Sequence, residues 1–342
     1  MTAPNAPTGE DTGPDRRALM TGMAHFQRPS ARASGIQFAT TALAYVATLT
    51  AMYLLLPVSI WLALSLVVPA AGLVVRLFII QHDSGHGSYW RSPRANWITG
   101  SLCSLATFTP FDAWRRQHAG HHAVWNHLDR RNSGADIYST CLTVDEYEAL
   151  SPRRRWAYRA ARHPVIAQLL LPPLVFLLLY RTPFDTPVAW RRERASVHLT
   201  NLGLAVVLTG LVMLAGWQAV LLIQVPILVI TSIAGVWLFS VQHRFEEAQW
   251  MRQERWTPVR ASLAGSSYLK LPRVLQWFTG NIGFHHVHHL MPRVPNYRLE
   301  PCHEVLATRT DEVRTLTLRE AFRAPGFALW DEAGERMVPF PR

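Results

Sequence analysis

Histidines at helical spacing form three clusters in this 342-residue sequence, and they are the residues best suited to carry chemistry. Residues three or four positions apart lie on one face of a helix, so each cluster presents two or three imidazoles to the same side. One such pair arises by chance on an ordinary amphipathic helix, but three clusters and a separate histidine favour a shared site. The candidate metal ligands are His82 and His86, then His118, His121 and His122, then His285, His288 and His289, together with the separate His243.

Imidazole nitrogens are typical ligands of iron, zinc, copper and nickel, whereas magnesium and calcium prefer oxygen. Nine histidines exceed what one metal ion binds, so the pattern predicts a site for two metal ions. His286 lies in the third cluster but off its spacing, and we leave it out of the predicted ligand set. Composition and spacing alone do not distinguish a hydrolytic zinc centre from an oxidative iron centre.

Carboxylates near the clusters are candidates to accept the outer N–H of a ligating imidazole, which would fix its orientation. A surface or capping role is equally consistent with each of them. His127, shortly after the second cluster, is a further candidate for such a supporting role. The carboxylates are Asp83, Asp112, Asp129, Asp136, Glu246 and Glu247.

Two long apolar blocks, residues 36–80 and 199–240, are each long enough for two helices that cross a hydrocarbon core of roughly 30 Å. The expected turns, near Pro57 and Gly216, carry no charge, and every arginine-rich segment lies outside the two hairpins. The positive-inside rule therefore predicts that both termini and the metal site face the cytoplasm. The sequence predicts an all-α polytopic membrane protein with four transmembrane helices in two hairpins, interfacial helices and a cytoplasmic helical cap that holds a dimetal site.

The two predicted hairpins divide the rest of the sequence into three segments. Residues 1–35 are polar and predict a disordered cytoplasmic leader. Residues 81–198 form a cytoplasmic segment with the first two clusters, and its apolar stretch at 164–180, interrupted by Pro172 and Pro173, predicts an interfacial element. Residues 241–342 form a cytoplasmic segment with His243 and the third cluster, in which residues 311–322 predict an amphipathic helix that covers the metal site.

The net charge of +11 comes almost entirely from arginine, because Lys270 is the only lysine. Arginines beside membrane spans indicate contacts with anionic lipid, and they do not indicate a nucleic-acid partner. The three cysteines form no CxxC pair, so the sequence indicates neither a disulfide framework nor a thiolate metal site.

Several stretches of the sequence resemble the membrane-bound fatty acid desaturase family, in particular its bacterial acyl-lipid Δ12-type branch. The resemblance covers residues 36–335 in order and spacing, and the nine histidines match the family's ligand positions. It departs from the usual pattern at Ser84, at Trp90 and in the segment YSTCLTV, none of which removes a ligand. The matching stretches are HDSGHGS, TPFDAWRRQHAGHH, NHLDRR, LTVDEYEALS, VQHRFEEAQW, GSSYLKLPRVLQWFTGNIGFHHVHHLMPRVPNYRL and FALWDE.

The resemblance implies a non-haem centre of two iron ions in the bacterial cytoplasmic membrane. It implies an O2-dependent enzyme that inserts a cis double bond into a saturated or monounsaturated acyl chain carried on lipid, CoA or a carrier protein. Electrons would come from an external donor such as ferredoxin, because the sequence has no cytochrome-like domain, flavin motif or iron–sulfur cysteine set. An acidic donor would suit the arginine-rich cytoplasmic face.

Other functions are consistent with the same histidine motifs. A hydroxylase, an acetylenase or a carotenoid ketolase would use the same diiron scaffold, since the ligand motifs discriminate poorly between these outcomes. A membrane zinc hydrolase and a metal transporter or store belong to different classes. Transporters place their ligands near the bilayer midplane, whereas these histidines follow the ends of the predicted spans.

Overall fold

The computed structural model describes residues 19–131 and 140–341, and most of them are helical. In chain order the α-helices are α1 (Ala31–Leu55), α2 (Ile60–Ser65), α3 (Val67–His86), α4 (Pro93–Thr107), α5 (Phe111–Val124), α6 (Val144–Glu148), α7 (Pro152–Arg162), α8 (Arg191–Ala215), α9 (Trp217–Val241), α10 (Pro258–Ala264), α11 (Arg273–Phe278), α12 (His285–Leu290), α13 (Leu299–Leu306) and α14 (Leu318–Ala321). The strands are β1 (Leu142–Thr143), β2 (Tyr268–Leu269), β3 (Thr315–Leu316), β4 (Leu329–Asp331) and β5 (Arg336–Val338).

Among the described residues, four helical segments are long and apolar enough to cross a membrane, and a fifth if α7 and the bent stretch after it count as one span. The four are α1, α2 together with α3, α8, and α9. The first begins after Ser30, whose hydroxyl accepts the N–H of Ala33 as an N-cap. Gly216, with a φ of 83°, makes the turn between α8 and α9, a backbone conformation that glycine adopts without strain. The prediction of a helical multi-pass membrane protein is therefore confirmed, whereas the cytoplasmic side of the cap stays a prediction.

The N-terminal segment corrects one boundary. The first 18 residues of the predicted leader lie outside the described residues, but residues 19–35 are structured, and the prediction of disorder was wrong for them. Leu19, Met23 and Phe26 are buried in a cluster that includes Ile79 of α3 and Val287 of α12. Burial of these three apolar side chains stabilises this segment. The polar residues beside them in the sequence had favoured the prediction of disorder.

The apolar stretch between α7 and α8 is a broken helix, which we call the broken segment (residues 166–181). Two π-helical turns, Ile166–Leu170 and Leu174–Leu178, flank Pro172 and Pro173, whose nitrogens cannot donate. Its axis bends by 51° from that of α7. The Gln168 amide donates to the Ser240 hydroxyl of α9 at 3.2 Å, which ties the segment to the bundle. Its interfacial position stays a prediction.

The segment after α9 forms a cap over the end of the bundle. Its buried side chains include Phe245, Trp250 and Trp330, which pack in one cluster with Trp125 from the end of α5. β1 pairs with β4 in parallel, β4 pairs with β5 antiparallel, and β2 pairs with β3 in parallel. The two parallel ladders connect chain segments that are distant in sequence.

The predicted helix at residues 311–322 was wrong. The structure has strand β3 and the four-residue helix α14 there. The carbonyl of Leu316 accepts the N–H of Lys270 at 2.9 Å, so this backbone bonds to β2. Thr317 and Glu320 then form a capping box that starts α14 only after the strand.

We predict that Gly100→Ala destabilises the bundle by about 1–3 kcal/mol, because a Cβ at Gly100 would lie 2.3 Å from the buried Phe111 ring. The matched control is Gly210→Ala in α8, where a Cβ meets no atom within 4 Å. Thermal unfolding of both purified variants in detergent would compare them. Equal melting temperatures for the two variants would contradict the packing described.

Candidate metal centre

The nine predicted ligands come from four separate parts of the chain and meet at one end of the bundle. His82 and His86 lie in the last turns of α3, which ends at Gly87 with a φ of 68°. The second cluster lies on α5 and the third on α12, while His243 follows the end of α9 by two residues. Seven of the nine side chains are buried, and His86 and His122 are partly buried.

One group of five imidazoles, which we call the first group, has ligand nitrogens that all lie within 4.8 Å of one another. The Nε2 atoms of His118 and His82 are 3.0 Å apart, and those of His288 and His122 are 2.9 Å apart. The first group consists of His82, His86, His118, His122 and His288.

The second group consists of His243 and three imidazoles around it, those of His121, His285 and His289. The Nε2 atom of His243 lies 3.2 Å from Nε2 of His121, 2.9 Å from Nε2 of His285 and 3.2 Å from Nε2 of His289. The Trp125 ring lies against the His243 ring at a centroid distance of 3.8 Å. This contact covers one side of the group and keeps His243 within the cap.

These distances fit two imidazole-bound metal ions. Nitrogens bound to one ion at about 2.0–2.1 Å and at ordinary ligand angles lie about 3.0–3.4 Å from one another. The nearest nitrogen pairs in both groups are 2.9–3.2 Å apart. In addition, the buried Nε2 atom of His86 has no hydrogen-bond partner among the described residues. A metal ion would satisfy that nitrogen, so the donor set fits the group that the sequence predicts.

Burial keeps the imidazoles in the form that binds metal. Desolvation, followed by repulsion from neighbouring imidazoles, lowers the pKa of His118, His122 and His243 well below the usual range of histidine. The same causes lower the pKa of His285, His288 and His289. These rings are therefore neutral at neutral pH, with a lone pair on one ring nitrogen.

Asp83 orients a ligand from outside the cluster. Its Oδ1 atom lies 3.3 Å from Nδ1 of His82, and its Oδ2 atom accepts the backbone and side-chain N–H of Asn296 at 2.7 and 2.8 Å. The Gln37 amide of α1 donates to the Asn296 side-chain oxygen at 2.7 Å. Sequence reasoning missed Gln37 and Asn296, because no local spacing relates residues so distant along the chain.

The other candidate carboxylates serve different partners. Asp112 pairs with Arg115 and Arg192, and Asp129 pairs with Arg252. Glu246 and Glu247 pair with Arg336 and Arg314. Asp136 lies outside the described residues. Among the described residues, Asp83 is therefore the one proposed carboxylate that contacts a candidate ligand.

Two histidines near the clusters lie apart from both groups. His286 is buried, and its Nε2 atom lies 3.0 Å from Nδ1 of His303 of α13. His127 contacts the side-chain oxygen of Gln253 at 2.9 Å, so it does not support a ligand. The His286 side chain therefore lies outside both groups, unlike the other three histidines of α12.

An elongated cavity of about 240 Å³ opens directly onto the two histidine groups. His82, His118, His121 and His285 form its polar end. Its walls come from α3, α5, α9 and the broken segment. The apolar side chains that line it are Val75, Phe78, Ile79, Trp114, Val175, Phe176, Phe184, Leu228, Val236, Leu238, Phe239 and Ile282.

Comparison with known proteins agrees with this arrangement. The sequence matches the family model described as "Fatty acid desaturase" over residues 59–318. It is 42% identical over 325 residues to "Fatty acid desaturase" of Bacillus subtilis, covering 95% of this chain and 91% of the relative. It is 26% identical over 271 residues to "sn-1 oleoyl-lipid 12-desaturase" of Picosynechococcus, covering 74% and 72%. It is 26% identical over 239 residues to "sn-2 acyl-lipid omega-3 desaturase (ferredoxin), chloroplastic" of Helianthus annuus, covering 65% and 50%.

The fold and the site together define a multi-pass membrane enzyme with a histidine cluster suited to a metal centre. The chain belongs to the fatty acid desaturase family. The resemblance drawn from the sequence is therefore confirmed, and the Δ12-type protein is a more distant relative than the Bacillus enzyme.

We predict that His289→Gln lowers the metal content of the purified protein by roughly half, because one of the two groups loses a ligand. The matched control is His286→Gln, which changes a buried histidine of the same helix outside both groups. Elemental analysis per folded chain would measure the metal. Similar losses in both variants would contradict the assignment of ligands.

Proposed function

We propose that this protein is an O2-dependent acyl desaturase that inserts a cis double bond by means of two iron ions. The observation that carries the proposal is the apolar cavity that ends at both histidine groups. The acyl chain loses two hydrogens, while O2, two electrons and two protons become two molecules of water. The first group would hold one iron and the second group the other.

When bound, the iron ions supply the activation of O2 and the removal of hydrogen from an unreactive methylene, which side chains alone cannot achieve. The protein positions the substrate and excludes water. The cavity end that faces α5 is walled by Trp114, which stacks on the His118 ring at 4.7 Å, and by Phe239, 5.1 Å from the His121 ring. These aromatic walls place the cavity directly beside the ligands and limit the approach of other reductants.

The apolar part of the cavity, away from the histidines, would hold the rest of the chain. Along α9 its lining residues extend from Leu228 to Gln242, a length of about 21 Å at 1.5 Å per residue. At the far end, Thr231 of α9 donates to the Ala71 carbonyl of α3 at 3.3 Å, so the two helices meet there. The distance between this end and the metal groups would select which methylenes react.

The substrate that this geometry favours is an acyl chain carried on a membrane lipid. The broken segment forms one wall of the cavity with Phe176 and Tyr180, and its Leu174 and Leu178 are exposed on the outer surface. An apolar chain would therefore enter from the bilayer. The relative from Helianthus annuus is named as an acyl-lipid desaturase with ferredoxin, which supports a lipid-linked substrate and an external iron–sulfur donor. CoA and carrier-protein esters are the alternatives.

The protein would lie in the cytoplasmic membrane of a bacterium, with the cap and the metal groups on the cytoplasmic side. The absence of charge at the predicted hairpin turns supports this orientation. A soluble electron donor would reach the cap from that side.

Expression in a host without desaturases, followed by mass spectrometry of the lipids, tests the function. We expect a new cis double bond at one position, formed only in the presence of O2. A hydroxyl group, an acetylenic bond or a keto-carotenoid as the main product would contradict desaturation. Product formation by protein loaded with zinc alone would contradict the diiron centre.

We predict that Gly235→Leu changes the chain-length preference by about ten-fold or more in favour of shorter chains. Gly235 lines the cavity and a Cβ there meets no atom within 4 Å, so the larger side chain fills the cavity without disturbing the helix. The matched control is Gly210→Leu, at an open position of α8 away from the cavity. An unchanged product profile for Gly235→Leu would place the acyl chain elsewhere.

A further inference from the structure

A second concave site lies at the start of α1, away from the acyl cavity. It is a surface pocket of about 590 Å³ lined by His25, Arg28, Pro29, Ser30, Ala31, Arg91 and Arg298. It shares none of these residues with the cavity beside the metal groups. Three arginines and a histidine from three distant parts of the chain converge here, and among the described residues no carboxylate lines the pocket.

The arginines of this pocket are available to a ligand. The side chains of Arg28 and Arg91 have no hydrogen-bond or ion-pair partner among the described residues, and both are exposed. Arg298 is fixed, since its Nη1 atom donates to the His25 carbonyl at 2.8 Å, which leaves the other guanidinium nitrogens available. Guanidinium groups that have no carboxylate partner are suited to binding phosphate oxygens in pairs.

Hydrogen bonds beside the pocket hold the chain segments that line it in place. The Ser30 N–H donates to the Tyr297 hydroxyl at 2.9 Å, and that hydroxyl lies 3.1 Å from the Ser34 hydroxyl. Ser34 donates to the Tyr89 carbonyl at 2.6 Å, and the Tyr89 hydroxyl returns a bond to the Ser34 carbonyl at 2.7 Å. These contacts hold the N-terminus of α1 against the segments that carry Arg91 and Arg298.

The backbone adds to the attraction for an anion. α1 has 25 residues, and its N-terminus points at the pocket. Ser30 caps the N–H of Ala33, while the N–H groups of Ala31 and Arg32 have no partner among the described residues. Free N–H groups and the helix dipole both favour a negative charge at this position.

We propose that this pocket binds a phosphate group, and that the phosphate belongs to an anionic phospholipid beside α1. The membrane span begins at Ala31, so the pocket lies at the depth expected of lipid phosphates. Ile36 of α1 and Ile98 of α4, on the two helices that begin at or near the pocket, are 55% and 52% exposed and offer apolar surface for the acyl tails. The bound lipid is distinct from the substrate, because the pocket and the acyl cavity are separate.

Calorimetric titration of the purified full-length protein in detergent tests the proposal, with short-chain phosphatidylglycerol and inorganic phosphate as separate probes. We expect Arg28→Gln/Arg91→Gln to weaken phosphatidylglycerol binding by at least about ten-fold, as loss of charge-assisted hydrogen bonds requires. The control, Arg153→Gln/Arg154→Gln on α7, removes two exposed arginines outside the pocket and should leave the affinity unchanged.

The outcomes separate the possible sources of the phosphate. Binding of the lipid that depends on the two arginines, with weak binding of inorganic phosphate, supports the lipid. Equally tight binding of inorganic phosphate with the same dependence supports the phosphate site but overturns its assignment to a lipid. Equal weakening in both double variants, or no weakening in either, would show that only general surface charge is involved and would overturn the proposal. Neither pair of arginines is part of the metal centre, so failure here would leave the proposed desaturation intact.

Discussion

Nine imidazoles held within a few ångströms of one another, mostly out of contact with water, are the constraint on which the rest of the structure depends. Burying a polar nitrogen without a partner costs free energy. Two facing nitrogens can share only one hydrogen, so a cluster of this size cannot satisfy itself by hydrogen bonds alone. Two metal ions would satisfy the lone pairs of both groups at once. Metal binding and folding of the cap are therefore expected to be coupled.

The surrounding elements serve to bring these rings together. α3 and α9 deliver His82, His86 and His243 from the membrane side, while α5 and the short helix α12 complete the cluster. Asp83 holds His82 from outside and is itself held by Asn296 and Gln37, which connects α1 to the centre. The same helices α3 and α9 wall the acyl cavity. The membrane bundle would thus position both the metal ions and the acyl chain.

The sequence was sufficient for the parts that depend on local spacing and long apolar runs. The histidine clusters and the exclusion of His286 were predicted from spacing within single helices. The four spans were predicted from the length of the apolar runs. The structure also requires contacts that no local pattern encodes, such as Asn296 with Asp83 and Thr315 with Tyr268. Contacts between distant residues also explain why residues 311–322 form a strand and a short helix where one helix was expected. Contacts of this kind order the residues around Phe26 as well. Pro172 and Pro173 predicted an interruption of the helix. The π-helical turns around that interruption were not predicted.

Anomalous X-ray scattering from crystals of the purified protein, recorded at the iron edge, tests the central claim most directly. The account predicts two iron peaks, one within the first group and one within the second. A single peak, peaks away from these histidines, or a signal from zinc with none from iron would contradict it.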